Sequence, residues 1–396
     1  MNSNKKTLFV LTAIMLVNAL SYGTIIPLLY PYASRFGLDP FGLSLLFTSY
    51  SFFQFLATPI IGRLSDRYGR RPLLLLSIFG TAISLALFAG AWSLPLLFLA
   101  RILDGITGGN MSVAQAVIAD TTTGQERAKG FGMLGASFGF GFLIGPALGG
   151  LLSAISLTAP FWFAAGLAFI ATLMTAVFLP ETVQVNKQTI RSEPLFDIKG
   201  LFTAFSTPIV GVLLVFTLLT ALALNMFIIG FQTFTVDVLL LSSVQIGLLF
   251  TLTGLVNIIV QAFGVGWLLK KFKSKRKVLA GSALAAATLM LLMSGAQTFV
   301  LFLPIVLAYM FAQGPLMPLV SGVISERTAP EDQGAVLGIN QSYLSIGQIV
   351  GPLIAGLIAS RSVSMVFLAA SLIIFGAWLV LLQLKPRKSA SEVLDI

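Results

Sequence analysis

Long apolar runs alternate with short polar segments along the whole chain. A helix that crosses a bilayer needs about 20 apolar residues, and twelve runs satisfy this requirement. We number them spans 1 to 12; they cover residues 7–31, 43–62, 73–92, 95–118, 130–154, 159–180, 205–230, 244–269, 278–296, 299–322, 336–359 and 364–384. The first run is too long for a signal peptide and lacks a small-residue cleavage site, so we interpret it as an uncleaved span. The pattern predicts an all-α membrane protein with twelve transmembrane helices.

The composition indicates that most of the surface faces lipid. The 396 residues are 57% hydrophobic and only 10% charged, whereas a soluble domain carries about 25% charged residues. A single soluble domain with so large an apolar interior conflicts with the way domains split as they grow. The lipid bilayer is therefore the partner that composition predicts.

The chain contains no Cys and no His. Disulfides, thiolate metal sites and cysteine nucleophiles are thereby excluded, as are the usual general base and the commonest metal ligand. We predict that the protein is not an enzyme, and the sequence implies no cofactor and no metal site.

Basic residues are concentrated on one side of the predicted topology. The net charge of +10 comes from 24 Lys and Arg against 14 Asp and Glu. If the N-terminus is inside, only Arg35, Arg101 and Arg361 fall outside the cytoplasmic loops and termini. This asymmetry follows the positive-inside rule. It predicts a multi-pass protein of the bacterial cytoplasmic (inner) membrane with both termini in the cytoplasm, and it leaves no reason to expect nucleic-acid binding.

Short motifs recur after about two hundred residues, as in duplicated proteins. The matching pairs are 62–72 with 266–272, 118–122 with 324–328, and 141–146 with 347–352. Because each half holds an even number of spans, we predict parallel repeats related by an axis along the membrane normal. The predicted domains are an N-terminal six-helix bundle, a cytoplasmic linker and a C-terminal six-helix bundle, at residues 1–180, 181–200 and 201–396. Such a duplication is typical of a transporter rather than of an enzyme or a channel subunit.

These motifs resemble those of the major facilitator superfamily, and within it the drug:proton antiporters. The motifs that carry the resemblance are the charged loop at 62–71, Arg101 with Gly105 in span 4, GFLIGPALGG at 141–150 in span 5, and Tyr22 to Pro27 with Pro31 in span 1. The similarity is densest in residues 1–180, where it looks closest to tetracycline-type multidrug exporters. It implies the major facilitator fold, in which two six-helix bundles are related by a pseudo-twofold axis, and transport by rocker-switch alternating access.

The resemblance also implies a conformational latch between spans 2 and 3. Its residues are Gly62, Asp66, Gly69, Arg70 and Asp120. We expect Asp66 at the start of span 3, where a carboxylate caps free N–H groups and faces the positive end of the helix dipole, with Arg70 bridged to Asp120. This cluster would hold the outward-open state and break as the inner side opens. The second-half copy has Lys270 in place of Asp66, so we expect a weaker latch there. The alternative is that the arginines of the loop only anchor topology.

Span 5 carries glycines at spacings of mostly four residues. The antiporter-motif helix contains Gly141, Gly145, Pro146, Gly149 and Gly150, with Gly135 and Gly139 before them. Small residues at this spacing let helix backbones approach closely, and proline removes a backbone donor and promotes a kink. We predict a close contact with a helix of the other half, which seals the path and permits rocking. Ordinary helix packing is the alternative.

Arg101 and Asp104 form the sharpest candidate pair. Asp104 lies roughly 15 Å along span 4 from Leu94, near the bilayer centre, where a charge costs about 2.5–3.5 kcal/mol. Because the two residues are separated by one helical turn, their side chains share a face and can pair. Burial opposes the charge of Asp104 and Arg101 supports it. We predict both as proton-coupling residues; a permanent ion pair that holds span 4 in place and proton coupling through the cytoplasmic Asp120 are the alternatives.

Polar residues inside other spans are candidates for the substrate pocket. Each alone is more often a contact between helices than a ligand contact, but together with abundant Phe they suit a large amphipathic pocket. The candidates are Asn18, Tyr22, Tyr50, Gln54, Asn225, Gln232, Asn257, Gln261, Gln313, Asn340 and Tyr343.

The chain departs from tetracycline exporters at positions that carry charge in that group. Those exporters have a carboxylate in span 1 where this chain has Asn18, another in span 3 where it has Ser84, and a span 8 histidine that this chain lacks. We therefore predict a secondary active transporter for multidrug efflux, without specifying the substrate. It would export an amphipathic small molecule, such as a drug, metabolite or siderophore, in exchange for protons, and work as a monomer. A nutrient or siderophore importer of the same fold, either a symporter or a facilitator, is the alternative.

Overall fold

The computed structural model describes residues 3–182, 210–329 and 332–383. Within these ranges the regular structure is helical, with no β-strand, and the predicted all-α architecture is confirmed. Most of the predicted linker at 181–200, the first residues of span 7 and the basic residues after position 384 lie outside the described ranges.

The helices follow the predicted spans in order. Their bounds are Ser3–Ile25 for span 1, Pro40–Tyr68 for span 2, Arg70–Ala89 for span 3, Leu94–Thr107 and Asn110–Thr121 for span 4, Gly124–Ser153 for span 5, Ala159–Phe178 for span 6, Val210–Thr233 for span 7, Ser243–Ile259 and Val265–Phe272 for span 8, Lys275–Ser294 for span 9, Phe299–Gln313 and Leu316–Arg327 for span 10, Gln333–Ala359 for span 11, and Val363–Leu382 for span 12. In this part of the chain, eleven helical segments are long and apolar enough to cross a membrane.

Span 4 differs from the continuous helix that we predicted over 95–118. Its helix stops at Thr107 and a second begins at Asn110, because the two intervening residues, Gly108 and Gly109, each disfavour the helix by about 1 kcal/mol relative to Ala. Neighbouring side chains satisfy the carbonyl groups at the interruption. Ser77 Oγ donates to the carbonyl of Thr107 at 2.6 Å, and Gln54 Nε2 donates to the carbonyl of Gly108 at 3.2 Å.

The described residues form two compact units. The first contains 3–38, 49–182 and 241–254; the second contains 39–48, 210–240, 255–329 and 332–383. The units thus include short segments from the other half of the sequence, at the start of spans 2 and 8. The predicted boundaries at residues 180 and 201 stay a prediction.

The two units repeat one packing pattern. In the first unit, span 1 packs against spans 5 and 6, and span 3 packs against spans 4 and 6. In the second unit, span 7 packs against spans 11 and 12, and span 9 packs against spans 10 and 12. Each contact of the first unit has its counterpart six spans later, as expected of a duplicated bundle.

Glycines bring the same pairs of helices together in both units. A Cβ atom on Gly145 of span 5 would lie 2.6 Å from the carbonyl carbon of Gly23 in span 1. Its counterpart on Gly351 of span 11 would lie 2.8 Å from Asn225 Cβ in span 7. A side chain at either glycine would therefore push the two helices apart.

We had predicted that the motif glycines of span 5 face a helix of the other half. Only some of them do. Gly141, Gly145 and Gly149 face span 1, which belongs to the same half of the sequence. Gly150 does face a second-half helix: its added Cβ would lie 3.1 Å from Gly247 Cα, at the start of span 8 in the same compact unit. The helix remains continuous through Pro146. The difference arises because glycines spaced by four residues share one helix face, whereas Gly150 follows Gly149 directly and points elsewhere.

Candidate functional site

Arg101 and Asp104 form an ion pair in the first half of span 4. Arg101 Nη1 lies 3.1 Å from Asp104 Oδ2. The two residues are only 6% and 1% exposed, so this is a pair of opposite charges withdrawn from solvent. Arg101 Nε has no hydrogen-bond partner among the described residues. The pairing on one helix face is the one that the sequence spacing predicts.

Two tyrosines complete the surroundings of this pair. Tyr22 Oη donates to Asp104 Oδ1 at 3.2 Å and lies 3.4 Å from Thr81 Oγ1. The guanidinium carbon of Arg101 lies 4.4 Å from the centre of the Tyr50 ring, within the range of a cation–π contact. Oδ1 of Asp104 thus faces the Tyr22 hydroxyl and Oδ2 faces the Arg101 guanidinium, and the cation is also covered by an aromatic face.

Gln54 links this group to the interruption of span 4. Its Nε2 donates to Tyr50 Oη at 2.7 Å as well as to the carbonyl of Gly108. Span 4 lies directly against span 2 here, since a Cβ on Gly105 would lie 2.6 Å from the carbonyl oxygen of Tyr50. The structure therefore brings together five predicted residues: Tyr22, Tyr50, Gln54, Arg101 and Asp104. We call them the Asp104 cluster.

A narrow crevice borders the Asp104 cluster. It is lined by Ile25, Leu29, Ser84, Leu85, Phe88, Ala100, Arg101 and Asp104. Thr81 and Ser84, two small polar residues of span 3, were not among the predicted site residues. Their separation by three positions places them on one helix face, and this was the sequence signal that could have identified them.

Asn18 lies one turn before Tyr22 on span 1. It is fully buried, and neither its Nδ2 nor its Oδ1 has a hydrogen-bond partner among the described residues. A buried amide with no partner is unfavourable by about 1–3 kcal/mol. Asn18 therefore stays a pocket candidate, one helical turn from the Asp104 cluster.

The candidates in the second unit are divided among several local arrangements. Asn225 Nδ2 donates to the carbonyl of Ala221 in its own helix at 2.8 Å, and Asn340 Oδ1 accepts from Thr217 Oγ1 at 2.9 Å. These two side chains take part in helix packing. A pair on span 8, Asn257 with Gln261, is joined by a hydrogen bond of 2.5 Å.

Gln313, Tyr343 and Gln232 are buried in the second unit. The Gln232 amide has no partner among the described residues. An aromatic group that sequence reasoning missed also lies in this unit, with Tyr309 4.6 Å from Phe227 between ring centres. Tyr309 is in span 10, the repeat counterpart of span 4, and the second unit thus has a buried phenol in the span where the first has an ion pair.

A second charged group surrounds Arg70 at the first residue of span 3. Arg70 Nη1 lies 2.5 Å from Asp66 Oδ1 and 2.7 Å from Ser65 Oγ, and its Nε lies 2.8 Å from Asp120 Oδ2 at the end of span 4. We call Ser65, Asp66, Arg70 and Asp120 the Arg70 cluster. The side chain of Asp66 is 63% exposed, whereas that of Asp120 is 25% exposed. The contact with Asp120 is therefore the better shielded of the two.

We had expected Asp66 at the start of span 3, but the structure places it elsewhere. It lies in the last turn of the span 2 helix, which ends at Tyr68. The carboxylate above the first turn of span 3 belongs instead to Glu181. We had assigned Asp66 to span 3 because the polar residues suggested a longer loop between the two helices. In the structure a single residue, Gly69, separates span 2 from span 3.

The two predicted latch glycines differ in their surroundings. Gly69 has φ of +103°, a conformation that favours glycine. Gly62 has open space where a Cβ would be, so packing does not require glycine there.

The second unit has a simpler counterpart of the Arg70 cluster. Lys275 Nζ pairs with Glu326 Oε1, which joins the start of span 9 to the end of span 10 as Arg70 and Asp120 join spans 3 and 4. Lys270 stands where the first unit has Asp66.

Comparison with known proteins identifies the family. A model of the Major Facilitator Superfamily matches residues 11–239 and 213–394. The chain belongs to the Major Facilitator Superfamily. The predicted family and fold are confirmed, and the chain is a multi-pass membrane transporter rather than an enzyme. The two overlapping matches also agree with the repeated packing of the two units.

Several members of this superfamily are similar over most of their length. The chain is 32% identical over 375 residues to the class C tetracycline resistance protein of Escherichia coli, covering 92% of each chain. It is 26% identical over 390 residues to the quinolone resistance protein NorA of Staphylococcus aureus (strain MSSA476), covering 98% of this chain and 99% of the other. The human organic anion transporter MFSD10 (TETRAN) superposes with a TM-score of 0.68 at 23% identity, over 96% of this chain and 100% of that one; this likeness concerns the fold alone.

Proposed function

We propose that this superfamily member exports amphipathic small molecules in exchange for protons. Two relatives reported above are named for resistance to tetracycline and to quinolones, and removal of a drug is one way in which a membrane transporter confers resistance. The substrate class is therefore a drug-like amphipathic molecule. We do not propose tetracycline itself as the substrate, because Asn18 and Ser84 replace the carboxylates expected of tetracycline exporters. Tetracycline is used below only as a probe of transport.

The observation that carries the proposal is the buried carboxylate of Asp104. A carboxylate that is 1% exposed and paired with one arginine changes the charge of its surroundings when it binds a proton. Intramembrane ionisable residues are functional by default because they are costly to insert. In our proposal Asp104 carries the proton, and Arg101 determines how readily the Asp104 carboxylate binds it. Tyr22 and Tyr50 orient the pair.

The remaining parts of the proposal concern the transport cycle and its setting. The two halves, 1–180 and 201–396, are joined by the linker 181–200 and work by rocker-switch alternating access. The Arg70 cluster, together with Gly62 and Gly69, holds one state, and the span 5 helix with Gly141, Gly145, Pro146, Gly149 and Gly150 allows the close packing that rocking requires. The substrate contacts come from the pocket candidates above. The protein works as a monomer in the bacterial inner membrane with both termini in the cytoplasm, in agreement with the distribution of basic residues.

Inside-out membrane vesicles test the proposal. An acidic lumen is imposed, and uptake of tetracycline and of ethidium is measured against vesicles without the protein. An exporter driven by protons accumulates at least one probe in the lumen, and a protonophore abolishes the accumulation. Faster loss of preloaded probe in the direction of proton flow would instead indicate a symporter and contradict the proposal.

A further inference from the structure

We infer that Glu181 is a positioning residue of the Arg70 cluster that acts through the start of span 3. Its Oε1 accepts the backbone N–H of Arg70 at 2.9 Å, and its Oε2 accepts the backbone N–H of Arg71 at 3.1 Å. The first N–H groups of a helix have no partner inside the helix, and a carboxylate beside them also faces the positive end of the helix dipole. Glu181 therefore caps span 3 from a distant point in the sequence, just after the end of span 6.

Gly69 makes this cap possible. It immediately precedes span 3 and has no side chain to offer the helix. A Cβ at this position would lie 2.9 Å from Glu181 Cδ, so a larger residue would displace the carboxylate. Its φ of +103° is also a conformation that other residues rarely adopt. The glycine thus leaves room for the carboxylate and turns the chain from span 2 into span 3.

A second contact runs in the opposite direction between the same two helices. Arg71 Nη2 donates to the backbone carbonyl of Ala176, in the last turn of span 6. The end of span 6 is therefore joined to span 3 twice, once through the Glu181 side chain and once through the Arg71 side chain.

The cap fixes the backbone from which the Arg70 side chain extends. The N–H of Arg70 is bound to Glu181, while its guanidinium reaches Ser65, Asp66 and Asp120. If the first turn of span 3 frays, the Arg70 backbone moves and the guanidinium loses its alignment with Asp120. Glu181 therefore acts on the latch through the backbone of Arg70. This inference rests on the proposed latch and extends it to the point where the chain leaves the first half.

Thiol labelling of the purified protein tests this inference without a substrate. The chain has no Cys, so Ser65→Cys places one thiol at a fully buried position that Arg70 covers. Reaction with a hydrophilic maleimide then reports how often the Arg70 cluster opens. Ser77→Cys, a buried serine of span 3 that bonds to Thr107 instead, reports general loosening of the bundle. Glu126→Gln is the control for charge, since Glu126 is an exposed acid in the first turn of span 5.

We expect Glu181→Gln and Glu181→Ala to raise the labelling rate of Ser65→Cys about fivefold, because the loss of a helix cap changes an opening equilibrium by about this factor. Glu181→Gln should be the milder of the two variants. Labelling of Ser77→Cys should be unchanged, and Glu126→Gln should have no effect on either thiol. In an Arg70→Gln background, Glu181→Gln should add nothing, because the arginine through which it acts is gone.

Two results would overturn the inference. One is that the labelling rate of Ser65→Cys is unchanged in both Glu181 variants but rises in Asp120→Asn. This result would support the latch and show that Glu181 is not part of it. The other is an equal rise at both thiols, or an undiminished effect in the Arg70→Gln background, either of which indicates a structural role only. If Asp120→Asn also fails to raise the rate, the latch of the proposed function is wrong as well.

Discussion

Asp104 Oδ2 lies 3.1 Å from Arg101 Nη1, one turn before the helix of span 4 is interrupted at Gly108. The other carboxylate oxygen is bonded to Tyr22, and the arginine is covered by the ring of Tyr50. The charges of this pair cancel, so a proton on Asp104 leaves a buried cation without its partner. The site therefore changes by one full charge when a single proton binds. That property suits a residue that links proton movement to a conformational step.

Replacing Asp104 by Asn should remove the driving effect of the proton gradient. The amide keeps the shape of the carboxylic acid but cannot exchange a proton, so we expect the initial rate of gradient-driven uptake of a probe into inside-out vesicles to fall by about 10²-fold or more, the scale of a lost proton-transfer group. Asp332→Asn is the control, because Asp332 is an exposed acid before span 11. Full accumulation with unchanged pH dependence in Asp104→Asn would contradict the proton-carrier role.

Arg101 and Asp104 should show strong coupling in stability. Removal of one partner leaves an uncompensated buried charge, so Arg101→Leu and Asp104→Leu should each lower the free energy of unfolding by about 3–5 kcal/mol. The double variant should lose less than either single change, because it removes both charges. Denaturant unfolding of the four proteins in detergent measures this cycle. Additive losses would show that the two side chains do not depend on each other.

Gly145→Ala should destabilise the first unit, whereas Gly135→Ala should not. The new Cβ at position 145 would lie 2.6 Å from the carbonyl carbon of Gly23, and backbone atoms cannot swing aside as a side chain can. We expect a loss of about 1–3 kcal/mol from overpacking. At Gly135 the same atom meets open space, so alanine should be neutral or should stabilise the helix by up to about 1 kcal/mol. Thermal unfolding of both variants in detergent checks the contrast; equal effects would contradict the close approach of spans 1 and 5.

The apolar runs predicted the spans correctly because a bilayer imposes one length and one polarity on every helix that crosses it. The Arg101–Asp104 pair was equally predictable, since one helical turn places both side chains on a common face. The interruption of span 4 was missed although Gly108 and Gly109 were visible in the sequence. A run of apolar residues does not reveal whether neighbouring helices supply donors such as Ser77 for the freed carbonyls.

The contacts between distant segments were beyond sequence reasoning. Tyr22 and Tyr50 were predicted as pocket residues, but no local pattern shows that Tyr22 meets Asp104 and that Tyr50 meets Arg101, both of which are on a different span. Glu181 was assigned to the linker because it follows the last apolar residues of span 6. Its role as a cap depends on how spans 3 and 6 pack. Such packing is determined by the whole bundle and not by the residues beside Glu181.

Asp120→Asn should weaken the Arg70 cluster more than Asp66→Asn does. Both aspartates contact Arg70, but Asp66 is 63% exposed and Asp120 25% exposed, and solvent-exposed ion pairs contribute only about 0–1 kcal/mol. We therefore expect Asp66→Asn alone to change transport of a probe less than about threefold, and Asp120→Asn, alone or with Asp66→Asn, to lower it further. Initial rates of uptake into inside-out vesicles, compared at equal protein and with Glu126→Gln as control, measure the order. Unaltered transport in the double variant would rule out the latch, and a larger effect of Asp66→Asn would show that burial does not determine which contact holds Arg70.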